Sequence, residues 1–484
     1  MASTELDLDV LIVGAGISGI NAAYRLQTDG PKGGSRYAIL EARHSLGGTW
    51  DFFRYPGIRS DSDIYTFGFS WKPWHKPETV AQGADIKSYM TEAVQETGID
   101  RHIRYRHRVV AANWTSRDQC WEVSVDADGA PQTLRTRYML LGTGYYDYDT
   151  PMKAMIPGID NFAGKVIHPQ FWPQDYDYSD KHMVVIGSGA TAITVVPAVA
   201  EKVKHVTMLQ RSPTYIMPIP KQSLAAKWLF ALLPQFLAHS LNRSLWIVQS
   251  YIMIYFCRLF PNVARALIRT VNRRLLPKSV SIDPHFSPKY LPWQQRLCAS
   301  MDGDIFAAIR SGKASVVTDH IDTVTADAIK LKSGASLHPD VIVTATGLGL
   351  RFAGGIAISV DGEPFDITSK FIYRASMLQD LPNLVYVVGY ENASWTLGAD
   401  CAAKVLVRLV NELKASGKTS ATPRLANPEK MEVKPLLNLG STYLKNANKV
   451  FPKGGTGAWA PRSTYLADLY KATYGDLNSE MEIV

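Results

Sequence analysis

Asp9-Val10-Leu11-Ile12-Val13-Gly14-Ala15-Gly16-Ile17-Ser18-Gly19 is the stretch whose reading decides the fold. An apolar run rich in β-branched residues reads as a buried strand, the glycines as a tight turn, and Asn21 to Leu26 as the helix that follows. Tyr37 to Leu40 reads as a second strand ending in Glu41. Gly14 suits the tight turn, Gly16 lets the backbone approach a pyrophosphate, and Gly19 lets the helix pack close to the strand. The helix N-terminus then faces the anion, and Glu41 can accept hydrogen bonds from a ribose 2′-hydroxyl. A lone GxGxxG is a weak signal. Its weight here comes from the strand before it, the helix after it and the acid ending the next strand.

The same plan recurs. His182 to Ile186 reads as a strand, Gly187-Ser188-Gly189-Ala190-Thr191-Ala192 as the turn, and a helix should run to about Val203. The next strand, His205 to Leu209, ends in Gln210-Arg211 instead of an acid. Arg211 with Ser212 suits the 2′-phosphate of NADP, so the first turn is expected to take FAD or NAD and the second NADP. Ala314 to Val317, Ala328 to Leu331, Asp340 to Thr344 and Leu384 to Val388 read as further strands. The expected fold is α/β, with two Rossmann-like dinucleotide-binding domains, one for FAD and one for NADP, and a helical insertion in the second. Residues 1–145 and 345–484 would form the FAD domain, 152–214 and 292–344 the NADP domain, and 215–291 the insertion. Between Pro218 and Pro292, Leu, Phe, Trp and Met recur at helical spacing. Plain core packing is the leading reading of that apolar face; a substrate-cavity wall or a membrane-surface face are the alternatives.

Composition narrows the function classes. The 484 residues are enough for two or three domains, and 46% hydrophobic with 20% charged is an ordinary globular balance. A net charge of +8 without a run of five basic residues gives no nucleic-acid signature. Cys120, Cys257, Cys298 and Cys401 lie far apart, so neither a zinc site nor a redox dithiol is indicated, and a disulfide reductase is disfavoured. The N-terminal residues carry acids where a signal peptide needs bases, and Ser244 to Cys257 is uncharged for too short a run to span a bilayer. A cytoplasmic location is expected, with surface attachment to a membrane through the insertion an open alternative. Oligomeric state has no signal in the sequence.

Two longer segments carry a family resemblance. Gly47-Gly48-Thr49-Trp50, then Tyr55-Pro56-Gly57 and Asp61, matches GGxWxxxxYPGxxxD; Phe162, Gly164, His168 and Trp172 match FxGxxxHxxxW. Both resemble the signatures of type I Baeyer–Villiger monooxygenases, and Trp172 favours these over the related N- and S-oxidising flavin monooxygenases, which usually have Phe or Tyr there. Arg54 to Asp63, Gln210 to Tyr215 and Asn392 to Leu397 resemble the ethionamide-activating subgroup in particular. The resemblance implies an enzyme that binds FAD and NADPH and, through a C4a-peroxyflavin, uses O2 to insert oxygen beside a ketone carbonyl, giving esters or lactones. Oxidation of sulfides is implied as well. It assigns Arg296 as the cation that stabilises the anions of the reaction and Asp61 as the carboxylate that orients it. Ser18, Thr49, Trp50, Asp51 and Val109 are implied as further FAD contacts, and Arg59, Ser60 and Asp61 as contacts to the nicotinamide half of NADP. Gln295 stands where the family often has Lys, which weakens the expected grip on the 2′-phosphate. For His168, in the linker between the nucleotide domains, a structural hinge is the leading reading and a catalytic base the alternative. Two rivals remain: an N-/S-oxidising flavin monooxygenase without ketone activity, and a non-catalytic NADPH sensor.

Overall fold

The strand that leads into the first glycine turn and its neighbour are apolar along most of their length because both of their faces are covered: every residue of Tyr37–Glu41 is buried, and all but one of Leu8–Val13. The computed structural model describes residues 5–295, 297–391, 393–437 and 449–484. Leu8–Val13 pairs in parallel with Tyr37–Glu41 on one side and Ala130–Leu141 on the other. These strands belong to an eleven-stranded mixed sheet, which Leu384–Tyr386 joins by pairing in parallel with Ala130–Leu141. Helix Ile17–Asp29 packs against the 22-residue helix Trp395–Ser416, and Arg25 of the first meets Asp400 of the second at 2.8 Å.

The second glycine turn sits in a separate five-stranded, all-parallel sheet. Its order is Ala314–Thr318, His205–Gln210, His182–Ile186, Val341–Thr344 and Lys165–Ile167. The fold class is thus the expected one: two α/β units, each with a strand–glycine turn–helix opening. The helices run Ile17–Asp29 and Ala190–Ala200.

The sequence reading has no strands between residues 103 and 140, yet the first sheet contains an antiparallel meander there: His107–Thr115, Cys120–Ala127 and Ala130–Leu141. Its second turn is Asp128-Gly129, with φ of +55° and +87°. An Asp-Gly pair with both residues left-handed matches the natural twist of a two-residue hairpin.

The insertion forms three helices, Leu224–Leu232, Gln235–Leu259 and Pro261–Leu275. The expectation of core packing fails for its apolar face. Trp228, Phe236, Ile252 and Leu259 are each about two-thirds exposed. What the middle helix buries instead includes His239, Asn242 and Arg243.

Candidate active site

Each glycine of the first turn has a separate geometric reason. Gly14 has φ of +100°, and a Cβ there would stand 2.8 Å from the Gly142 carbonyl oxygen. At Gly19 a Cβ would meet the Gly14 carbonyl at 1.9 Å, so the close helix–strand packing requires glycine. Gly16 differs: a Cβ would come no closer than 3.7 Å to anything, the nearest atom being Gly48 Cα. Gly16 and Gly48 both line a cavity of about 480 Å³, so that Cβ would take up room in the cradle where a bound pyrophosphate would approach the backbone. The first turn therefore fits a dinucleotide.

Glu41 closes the turn from the next strand. Its carboxylate accepts from the Ala15 and Arg43 amides at 2.8 and 2.9 Å and lines the same cavity. Burial pushes the Glu41 pKa up against these amides. Ser18, Thr49, Trp50 and Val109 reach the cavity too. Thr49 Oγ1 lies 3.1 Å from the Tyr148 hydroxyl, and Val109 sits at a bulge of the meander. Asp51 departs from its expected role. Its side chain is fully buried, takes an ion pair from Arg43 at 2.7 Å and another from Lys87, and does not line the cavity. Burial works to raise its pKa, but the two cations win and hold it below the usual carboxylate range. Asp51 braces the turn from behind.

The cavity runs from the first turn to the second unit. There it is lined by Ala190, Thr191 and Thr194 of the second glycine-turn helix, by Ala345 and Gly347, and by His168. Tyr55, Arg59, Ser60 and Asp61 lie along it between the two. Arg59 is nine-tenths buried and pairs with Asp304 at 2.5 Å. Burial pushes the Tyr55 phenol up to about 12, with Thr191 as a hydrogen-bond partner pulling it back. Burial also lowers the His168 pKa, so a neutral imidazole caps the Pro169–Phe171 turn, its Nδ1 accepting from the Gln170 amide at 3.3 Å.

Gly187, Ser188, Gly189, Arg211 and Ser212 sit outside the cavity, just past the C-terminal ends of two inner strands of the second sheet, His182–Ile186 and His205–Gln210. Gly187 has φ of +140°, and a Cβ there would stand 2.2 Å from the Ala345 carbonyl oxygen. A Cβ on Gly189 would meet nothing within 4 Å, and Arg211 and Ser212 are exposed. Ser188 Oγ donates to the Ser212 carbonyl at 2.8 Å, which sets Arg211 beside the turn. An open glycine edge with an exposed cation beside it fits NADP. Ala192 is buried within its helix.

The fingerprint residues Phe162, Gly164 and Trp172 do not line the cavity. A Cβ on Gly164 would press into the Phe162 ring at 2.6 Å, and Trp172 packs edge-on against Tyr178. They shape the segment that pairs Lys165–Ile167 with Val341–Thr344 and carries His168. Arg296 lies outside the described residues.

Several cavity residues escape the sequence reading. Tyr145 stacks on Trp395 at 4.6 Å, and both line the cavity with Gly142, Thr143 and Gly144. The Gly-Thr-Gly run directly after an apolar strand was the available signal. For the Arg59–Asp304 pair, 245 residues apart, none existed.

The four cysteines are free and buried, so no redox disulfide exists among the described residues. The pyridine nucleotide-disulphide oxidoreductase family model matches residues 11–229. The chain is 43% identical to the FAD-containing monooxygenase EthA of Mycolicibacterium smegmatis, covering 98% of this chain and 96% of that protein. It is 44% identical to the probable FAD-binding monooxygenase AlmA of Acinetobacter baylyi, covering 96% and 93%. Among solved structures it resembles OTEMO in complex with FAD and NADP, with a TM-score of 0.75 at 20% identity over 99% of this chain and 100% of that one. The last likeness bears on the fold and agrees with the two glycine-turn units. By its identity to such relatives along nearly its whole length, the chain belongs to the FAD-containing monooxygenase family.

Proposed function

We propose that this flavin monooxygenase, using FAD, NADPH and O2, inserts oxygen beside a ketone carbonyl to give an ester or lactone and also oxidises sulfides. The observation that supports this reading best is the continuity of one cavity from Gly14 and Gly16, past Arg59 to Asp61, to Ala190 and Thr191. Bound FAD, once reduced by NADPH, supplies activated oxygen; the chain supplies the rest. In this reading Gly14 to Gly19 and Glu41 hold FAD. Gly187 to Ala192 with Arg211 and Ser212 hold NADPH, and Arg59, Ser60 and Asp61 meet its nicotinamide end. The aromatic wall of Phe52, Phe53, Tyr55 and Trp395 keeps water from the reacting atoms.

Attack on a carbonyl leaves negative charge on its oxygen. A fixed guanidinium stabilises that charge without losing its own proton. Arg296 is assigned this role by resemblance, with Asp61 positioning it. Cys298–Met301 begins two residues later in the sequence, and its Ala299 lines the cavity, which supports this reading.

The test is product analysis with a phenyl ketone and an aryl thioether under isotopically labelled O2. Expected are an ester and a sulfoxide, each with one labelled oxygen. Sulfoxide without ester would replace the proposal by the N-/S-oxidising reading. Arg296→Ala should keep flavin reduction by NADPH and lose ester formation; a normal ester yield would remove Arg296 from the reaction.

A further inference from the structure

The insertion is built inside out. At 3.6 residues per turn, Leu237, Leu241, Leu245, Val248, Ile252 and Leu259 fall within about 80° of arc on the middle helix. All are exposed, from 40% for Leu241 to 70% for Leu259. The opposite face buries His239, Asn242 and Arg243 beside Ile254 and Cys257. Arg243 shows why that face carries polar groups. Its guanidinium donates to the carbonyls of Tyr65 and Gly68 at 2.8 and 2.9 Å, which ties the helix to the FAD-side unit. A surface helix of a soluble protein has the reverse pattern. Trp228 on the preceding helix and Leu267 on the next are exposed as well, and exposed apolar surface of this extent marks an interaction site.

Charge identifies the partner. From residue 202 to 282 the sequence has twelve Lys and Arg and no Asp or Glu, whereas the rest of the chain carries 40 basic against 44 acidic residues. Lys227, Arg258, Arg273 and Arg274 are exposed on the same three helices as the stripe. An apolar helix face with a predominantly cationic surround complements an anionic lipid surface: the apolar side chains enter the headgroup boundary and the cations meet lipid phosphates. Exposed Tyr470 and Tyr474 belong to a neighbouring helix, where the Leu466 amide donates to the Tyr251 hydroxyl at 3.4 Å. Such aromatics suit the membrane–water interface. Among the described residues no single helix is long and apolar enough to cross a membrane, so the helices would lie along the surface.

We propose that the insertion docks the enzyme on an anionic lipid bilayer. The test is co-sedimentation of the FAD-loaded enzyme with vesicles of phosphatidylcholine alone or mixed with phosphatidylglycerol. The enzyme should pellet with the anionic vesicles, bind the neutral ones about tenfold more weakly, and be released by high salt. Leu245→Ser/Ile252→Ser and, separately, Arg258→Glu/Arg274→Glu should each weaken vesicle binding about tenfold. NADPH oxidation on a water-soluble ketone should stay at the wild-type rate. An enzyme that stays in the supernatant with anionic vesicles overturns the proposal, as does binding that ignores both pairs of substitutions. Self-association in sedimentation velocity that Leu245→Ser/Ile252→Ser abolishes, without vesicle binding, would assign the face to a second copy of the chain.

Discussion

Gly16→Ala separates the cofactor cradle from the fold that carries it. Gly16 has φ of −81° and ψ of −177°, an extended conformation that alanine adopts freely. The added methyl would stand 3.7 Å from Gly48 Cα, in ordinary contact, and otherwise reaches into the cavity. The apoprotein should therefore unfold within about 1 kcal/mol of wild type, on the stable side if anything, because alanine restricts the unfolded chain. FAD binding should suffer. Pushing the pyrophosphate away from the turn sacrifices at least one hydrogen bond to a charged group, about 1.5–3 kcal/mol. That weakens the FAD Kd by about tenfold to a hundredfold. The assay is flavin absorbance per protein on purification, then FAD titration of the apoprotein, alongside its thermal melt. Gly19→Ala is the contrast, since its methyl would stand 1.9 Å from the Gly14 carbonyl and should lower the apoprotein melt itself. Wild-type FAD affinity in Gly16→Ala would refute the placement of the pyrophosphate at this turn.

Asp51→Asn should destabilise the apoprotein by about 3 kcal/mol in denaturant unfolding, because Arg43 and Lys87 lose a fully buried counter-ion. The Asp51 pKa is held below its ordinary value, so this stabilisation is present above the unfolded carboxylate value and lost as pH falls through the folded one; an unchanged acid limb in the variant would contradict it. Asp63 has the opposite sign: desolvation pushes it up to about 6 despite its bonds to Thr66. Melting temperature should therefore gain a downward component as pH rises from about 4 to 6, and Asp63→Asn should remove that component. Arg211→Ala should raise KM for NADPH far more than for NADH; equal changes in steady-state kinetics would take Arg211 away from the 2′-phosphate.

How far the sequence could be read depended on whether each signal was local. Gly14, Gly16, Gly19 and Glu41 lie within 28 residues, and each answers to a steric or hydrogen-bonding demand that chain order alone states. The second turn was legible for the same reason, since the step from strand to glycine to helix needs no distant partner. The direction of the Asp51 side chain was not legible, because a resemblance transfers positions without directions. Lys87 and Arg43 turn its carboxylate away from the cavity, and neither belongs to the motif that names it. The Arg59–Asp304 pair joins residues with no common motif, so only the packed chain shows it.

The insertion shows the limit in its clearest form. Helical periodicity reveals that a stripe exists but gives no sign of which side of the helix meets the protein. Burial of apolar surface is worth about 25 cal/mol per Å², so the ordinary expectation sends the stripe inward. Here the deciding group is polar. The residue types His239, Asn242 and Arg243 occupy the face opposite the stripe, and Arg243 has backbone carbonyls to satisfy in the Tyr65–Gly68 turn. A buried guanidinium left without partners costs more than an exposed leucine stripe, which fixes the rotation of the helix. Once rotated, the helix presents its apolar face and a predominantly cationic surround to the outside. The feature that anchors the insertion to the FAD-side unit is thus the same one that leaves its other face ready for lipid.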